Sequence, residues 1–357
     1  MLVDVRELQE VRIDPVECRV RVGAGVRWER VAPQLSELGL AALHGSSPKV
    51  GIAGYSLGGG MGWLGRRYGL QSSSVTAIEL VTADGGFRRV DARRDPDLFW
   101  ALRGGGGNFG VVTAIEFTAY PVEALYAGTM FFPIERAGAV LHTFAALLPG
   151  LPDEQMTWAS LLRFPDIPEI PEPMRGGAWV VVYGAFLGDE QRGRQLLSPV
   201  RALAPEIDTF AMVPPAALGE LAMDPSEPLP YLGTHLLLRD LPADAVDELL
   251  DAALHDDVLA MVQLRHTGGA LGRAAPGAGA RATLPGTVCL DVAGDLDDLG
   301  ARRPIEAALR RVERAVSPYR AGVYPNFVEQ PADASAFFDE GTWARLCDVK
   351  HRVDPTD

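Results

Sequence analysis

Two glycine clusters hold the residues whose types and spacing suit chemistry. The first, Gly45 to Gly69, reads GSSPKVGIAGYSLGGGMGWLGRRYG, with Gly58, Gly59 and Gly60 in succession. Glycine has no Cβ, so its backbone can approach a ligand closely and reach dihedrals closed to other residues. The pattern predicts a loop of exposed N–H groups feeding a short amphipathic helix, Met61 to Arg67, capped by Gly69. Such a loop at a helix N-terminus is an anion site, for phosphate above all. The second cluster, Arg103 to Thr113, reads RGGGGNFGVVT. Together they predict one nucleotide cofactor held between them.

Other motifs are weaker. Gly60–Gly65 and Gly105–Gly110 both fit GxGxxG literally. A dinucleotide fingerprint needs a strand before it, a helix after it and an acidic residue downstream. The second match follows a helix and precedes a strand, and the first has only Asp84, in a hairpin turn, so a nicotinamide dehydrogenase is disfavoured. Asp224 and Glu227, in MDPSEPLPY, flank prolines in a loop rather than forming a catalytic pair. The Gly/Ala pattern at 272–280 reads as a flexible loop, not a phosphate cradle. There is no HExxH and no clustered Cys/His set, so no metal site is expected.

Composition narrows the partners. The 357 residues are 47% hydrophobic, enough for two domains and a sizeable core. A net charge of −14 argues against nucleic acid and anionic membrane, which both select basic patches. No apolar run approaches a membrane span, and the first residues lack a signal-peptide pattern. Cys18, Cys289 and Cys347 show no ligand spacing, which predicts a reducing, cytoplasmic setting.

The elements that must position the clusters follow from periodicity. VRI and CRVRV read as paired strands around Asp14-Pro15, and a helix follows with Trp28, Val31, Leu35 and Leu38 on one face. TAIELVTADGGFRRVDA reads as a hairpin, DPDLFWALR as a helix N-capped by Asp95, and VVTAIEFTAYPV as a strand. Beyond Val122, strands at 128–132, 179–186, 234–241, 261–266 and 287–294 alternate with helices near 135–148, 189–203, 243–254 and 302–316. That pattern predicts an antiparallel sheet with helices on one face. A last helix is expected around Trp343 to Val349.

GSSPKVGIAGYSLGGGMGWLGRRYGL, IELVTADG and DPDLFWALRGGGGNFGVVTAIEF, in that order, resemble the FAD-binding domain of the vanillyl-alcohol oxidase superfamily. Within it they are similar to berberine bridge enzyme-like oxidases. VYPNF (323–327) and KHRVDP (350–355) extend the resemblance along the chain. It implies an α+β fold: a split FAD-binding domain (1–122), a substrate domain whose antiparallel sheet covers the flavin (123–321), and a return segment (322–357). It also implies an FAD-dependent oxidase that abstracts hydride from a C–OH or C–NH carbon of a sugar, alcohol or secondary-metabolite substrate. Oxygen would be the acceptor; the oligomeric state is left open.

By the same resemblance, Ser46, Ser47, Val50, Gly51, Gly54 and Tyr55 line the diphosphate and flavin-ring side. Gly58, Gly59, Gly60 and Gly62 lie against phosphate and ribityl. Val81, Gly105, Gly110 and Val112 face the adenine half, with Asn326 near the ribityl chain and Tyr324 near the ring. The family's first phosphate loop, with its flavin-linked histidine, precedes anything in this chain, and Ser47 stands where relatives carry a linking cysteine. Non-covalent FAD is therefore expected, in a chain read as truncated at both ends. The alternative is a non-catalytic fragment with weak or no flavin binding. Phe327 stands where many relatives have a tyrosine base, which leaves Tyr324, Tyr231 and His266 as catalytic candidates, His266 on a strand expected to face the flavin.

Overall fold

Alternating and doubly apolar strand patterns build two large antiparallel sheets, beside the short pair Leu40–Ala41 and Tyr120–Pro121. The computed structural model describes residues 3–168, 170–224, 229–296 and 299–356; Glu227 lies outside them. Among these residues the smaller sheet has five strands in the order Val11–Asp14, Arg19–Gly23, Val111–Thr118, Val75–Val81, Phe87–Asp91. Val20, Val22, Ile78, Leu80, Ile115 and Phe117 are buried with Trp28, Val31 and Leu35 of the helix Trp28–Glu37. Asp95 caps the helix Pro96–Leu102, accepting from the Leu98 N–H at 3.4 Å. The C-terminal helix Glu340–Val353 returns to this unit, burying Leu346, Val349 and Val353 in the same core.

The larger sheet has nine strands among the described residues. Its centre runs Leu125–Pro133, Ala178–Phe186, Gln155–Arg163, Met261–His266, Val288–Asp295, Tyr231–Leu238, all antiparallel. Val180 and Val182 face one side, among helices Ala137–Leu147, Ala243–Ala253 and Arg302–Val316. Val181, Tyr183 and Ala185 face the other, with Met61, Trp63 and Leu64 of the first glycine stretch. Burial on both faces explains the unbroken apolar run WVVVYGAF.

Three expectations need correcting. Strand Gln155–Arg163, at the sheet's centre, has no counterpart in the periodicity reading: both its faces are buried, so no polar alternation marks it. The helix expected over 189–203 is two pieces, Glu190–Leu196 and Ser198–Arg201, the second restarting at Pro199, which has no N–H to continue the first. The helix expected over Met61 to Arg67 shrinks to the turn Gly65–Tyr68. A helix, Ile52–Leu57, instead precedes the three glycines. Gly59 and Gly60 take φ of 124° and 82°, and the Met61 N–H turns to the Tyr324 hydroxyl rather than to a helical carbonyl.

Candidate functional site

Directly paired residues of an antiparallel sheet share a face. Ser160, Gln263, Asp291 and His235 form one such row across four neighbouring strands, and Tyr183, Trp158, Arg265, Cys289 and Leu237 form the next. This face meets the first glycine stretch, where the Trp63 ring stacks on Trp158 with centroids 3.6 Å apart. A polar chain crosses it. Arg265 Nε donates to Gln263 Oε1 at 2.5 Å, and Gln263 Nε2 donates to Ser160 Oγ at 3.0 Å. Arg265 Nη2 also lies 3.9 Å from Asp291 Oδ2, and its guanidinium sits over the rings of Trp158 and Phe327 at 4.4 and 4.9 Å.

Asp291 is the group this geometry singles out. Burial holds its carboxyl above the usual carboxylate range, opposed by the Arg265 charge and reinforced by those of Glu329 and Asp224. Tyr231 stands at the rim, half exposed. Burial of its phenol pushes its pKa up, and so do a hydrogen bond to Glu329 and the charges of Glu329, Asp291 and Asp224. The charges of Glu329 and Asp224 thus act on both Asp291 and Tyr231. Asp291, Arg265 and Gln263 carry no motif in the sequence; strand alternation placing them on the face of Trp158 was the one available signal.

The segment Tyr324 to Phe327 joins this face to the glycines. Tyr324 is 1% exposed, and its hydroxyl accepts from the N–H groups of Gly60 (2.8 Å) and Met61 (3.0 Å) and from Asn326 Nδ2 (2.9 Å). Burial pushes its phenol up to about 12, against the pull of the two backbone N–H groups. Asn326 also donates to the Tyr55 carbonyl at 3.0 Å, and Tyr55 to the Leu43 carbonyl at 2.8 Å. His235, without a role in the sequence reading, accepts from the Tyr324 N–H at 3.1 Å and holds the segment on the sheet.

His266 lies elsewhere. It alternates with Arg265 and so leaves the face of Trp158 and Arg265, meeting Arg66 near the C-terminal end of the first glycine stretch instead. Its Nε2 is 3.0 Å from Arg66 Nη1, which makes Nε2 the acceptor. Burial, then the Arg66 charge, pull its pKa down to about 3. Arg66 is buried too, and donates to the carbonyls of Gln155, Leu151 and Thr267. Burial lowers the His44 pKa too, against the bond from Nδ1 to the Gly45 carbonyl at 2.9 Å.

The glycines divide into two groups. A Cβ on Gly62 would sit 1.9 Å from the His44 carbonyl oxygen, on Gly105 2.4 Å from that of Ala101, and on Gly110 2.5 Å from that of Val81. On Gly58 it would meet Asn326 Oδ1 at 1.6 Å. Chain packing requires glycine at these positions. A Cβ on Gly51, Gly54, Gly106 or Gly107 would meet nothing within 4 Å. At Gly106 a φ of 85° already favours glycine; at Gly51, Gly54 and Gly107 nothing in the chain requires bareness, whereas a closely approaching ligand would. Behind the three glycines, Gln71 and Ser72 are fully buried, with the Gln71 amide and the Ser72 hydroxyl lacking partners. Bare backbone and unsatisfied polar atoms fit a large polar cofactor.

Two cavities adjoin these segments, both of ligand size. One, about 300 Å³, is lined by Ser47, His44, Trp28 and Asp224. The other, about 950 Å³, is bounded by Trp100, the 274–283 loop and Phe337 to Arg345. Ser46 is half-buried and Val50 is exposed beside the first cavity; Val81 and Val112 are ladder residues of the small sheet. No group of His, Cys, Asp and Glu suited to a metal occurs among the described residues. No helix among them is long and apolar enough to cross a membrane.

The family model described as an FAD binding domain matches residues 1–91. The whole described chain superposes on Physcomitrella patens BBE-like 1 with a TM-score of 0.84 at 19% identity, over 98% of this chain and 78% of that one. The chain carries an FAD binding domain and the berberine bridge enzyme-like fold. Its cofactor is FAD. Chitooligosaccharide oxidase has the same fold, with a TM-score of 0.80 at 20% identity, over 98% and 78% of the two chains. In sequence, the chain is 41% identical over 120 residues to (R)-6-hydroxynicotine oxidase of Paenarthrobacter nicotinovorans, covering 34% of this chain and 26% of that protein. Among the curated relatives compared, it spans between 25% and 58% of their length.

Proposed function

We propose that the chain is an FAD-dependent oxidoreductase that removes hydride from a carbon bearing OH or NH, in a sugar, alcohol or secondary-metabolite substrate, with oxygen as acceptor. The observation that carries this reading is the polar chain of Ser160, Gln263, Arg265 and Asp291 set opposite the glycine stretch. Bound FAD supplies the hydride acceptor. Asp291 takes the proton from the substrate O–H or N–H, and its raised pKa makes it a stronger base than an exposed carboxylate. Arg265 orients that carboxylate, and Tyr231, bonded to Glu329, contacts substrate at the rim. Tyr324 holds the glycine loop through its hydroxyl and is not the base. The similarity to a 6-hydroxynicotine oxidase and a chitooligosaccharide oxidase supports a nitrogen-bearing or a sugar substrate.

The flavin is held without a covalent link. Ser47 has no thiol, and burial pushes the Cys289 thiol up to about 12, away from the reactive thiolate. The visible spectrum of the purified protein, before and after acid precipitation, tests the reading. Flavin bands that pass into the supernatant support it, and flavin retained in the pellet refutes the non-covalent assignment. A folded, colourless protein that takes up no added FAD would support the non-catalytic alternative. Anaerobic bleaching of the flavin by candidate amines and sugar alcohols then identifies the substrate class.

A further inference from the structure

Arg281 is a buried cation without a counter-charge. It is 5% exposed, and no carboxylate lies within ion-pairing distance among the described residues. Its Nη2 donates to the Phe337 carbonyl at 2.6 Å and its guanidinium lies over the Phe338 ring at 4.9 Å, while Nε is buried without a partner. Burial lowers its pKa. A guanidinium taken out of water loses more than one carbonyl and one ring face return, unless an anion completes the site. Its position is as telling. The side chain passes between the two glycine clusters: a Cβ on Gly59 would touch Arg281 Cδ at 3.2 Å, and one on Gly104 would meet Arg281 Cβ at 2.3 Å.

Arg281 lines the cavity of about 950 Å³. Behind it, Arg281 N–H donates to the Arg103 carbonyl, and Arg103 is itself 8% exposed with a pKa lowered to about 10 by burial alone. The Arg103 guanidinium bonds to the carbonyls of Phe99 and Gly277 and, among the described residues, to no carboxylate. On the far wall, the Asp339 carboxylate is turned back onto the Thr342 N–H and hydroxyl, and Arg345 is paired with Asp97. The Thr342 bonds leave Asp339 its negative charge on that far wall, whereas on the side of the glycine clusters the charges of Arg281 and Arg103 meet no carboxylate among the described residues.

We infer that this cavity is a phosphoanion site in which Arg281 grips the ligand, with Arg103 adding positive charge beneath it. Arg281 presents planar donors suited to phosphate oxygens. The ligand is the diphosphate of FAD or the phosphate of a separate molecule; the first source rests on the flavin reading above, and the second does not. The Gly/Ala loop that reads in sequence as a mere surface connection thus delivers the one residue that makes the cavity an anion site.

Inorganic pyrophosphate is the probe, titrated calorimetrically into the full chain. Saturable binding that weakens at least tenfold in Arg281→Gln, and less in Arg281→Lys, is the expected result. Should the Gln variant not fold, phenylglyoxal labelling of the wild type provides the same test: mass spectrometry should show pyrophosphate shielding Arg281. No binding, or binding indifferent to Arg281→Gln with unchanged labelling, overturns the inference. If FAD displaces pyrophosphate, and the Gln variant weakens FAD but not riboflavin, the phosphate is the cofactor's. If pyrophosphate binds alongside FAD, it belongs to a second ligand. A chain that binds pyrophosphate through Arg281 but never takes up flavin would refute the flavin reading and leave this inference standing.

Discussion

His266 offers a prediction that separates a structural histidine from a catalytic one. Folding carries its pKa from 6.5 down to about 3. The folded state therefore holds it neutral, whereas the unfolded chain protonates it as pH falls through 6.5. Its contribution is fully present above pH 6.5 and is lost progressively as pH falls toward 3. At pH 5 the loss from this one group is about 2 kcal/mol, a pKa gap of roughly one and a half units between the unfolded value and the solution pH. His266→Gln retains an acceptor for Arg66 and removes the titration. Urea unfolding at pH 7.5 and pH 5 should show the variant losing about 2 kcal/mol less stability than the wild type over that interval. Turnover per bound flavin should be unchanged, since His266 is off the face that carries Arg265 and Asp291 and is engaged with Arg66. Equal pH dependence in the two proteins, or a hundredfold fall in kcat, would show that the Arg66–His266 geometry has been misread.

Asp291→Asn should slow anaerobic flavin reduction by about 10²–10⁴-fold while FAD binding persists, as measured by stopped-flow absorbance; an unchanged rate sinks the proton-acceptor role. In the wild type the reduction rate should rise with pH through the Asp291 titration, above the ordinary carboxylate value, because only the ionised form accepts a proton. Gly54→Ala meets nothing within 4 Å and lies inside the helix Ile52–Leu57, so thermal stability should hold or gain up to about 1 kcal/mol. FAD affinity should nonetheless fall, and unaltered affinity would remove Gly54 from the cofactor cleft. Gly62→Ala runs into a backbone oxygen at 1.9 Å that no side-chain movement relieves, so calorimetry should show a loss of about 3 kcal/mol or more. Tyr324→Phe strips the acceptor from two buried backbone N–H groups and should cost about 1–3 kcal/mol in unfolding experiments, with turnover per bound flavin preserved.

Much of this was legible in the residues. Strand alternation and capping located the small sheet and the Asp95-capped helix, because those elements have one wet face and local signals. The glycine clusters pointed to a nucleotide, and their order to an FAD-binding domain. Where both faces of an element are buried, the period disappears, which is why strand Gln155–Arg163 and its Trp158 and Ser160 went unread. Tyr324 and Asn326 were singled out through the resemblance; their bonds to the glycine loop could not be read from any local pattern. Why Gly58 must be glycine depends on Asn326, far along the chain, and no local pattern reports that.

The sequence by itself thus indicated a nucleotide site, through its contiguous glycine runs, and an antiparallel sheet with helices on one face, through short-range periodicity, while FAD and the split-domain fold were implied by the resemblance that the order of the motifs carries. Only the tertiary structure decided which side chains share a site. Pairing register set Asp291 beside Arg265 and turned His266 to the opposite face, a difference of a single residue along one strand. Long-range packing buried Arg281 between two glycine clusters with no carboxylate to meet it among the described residues. Both outcomes follow from contacts between residues distant in sequence, and burial and charge there are properties of the assembled fold.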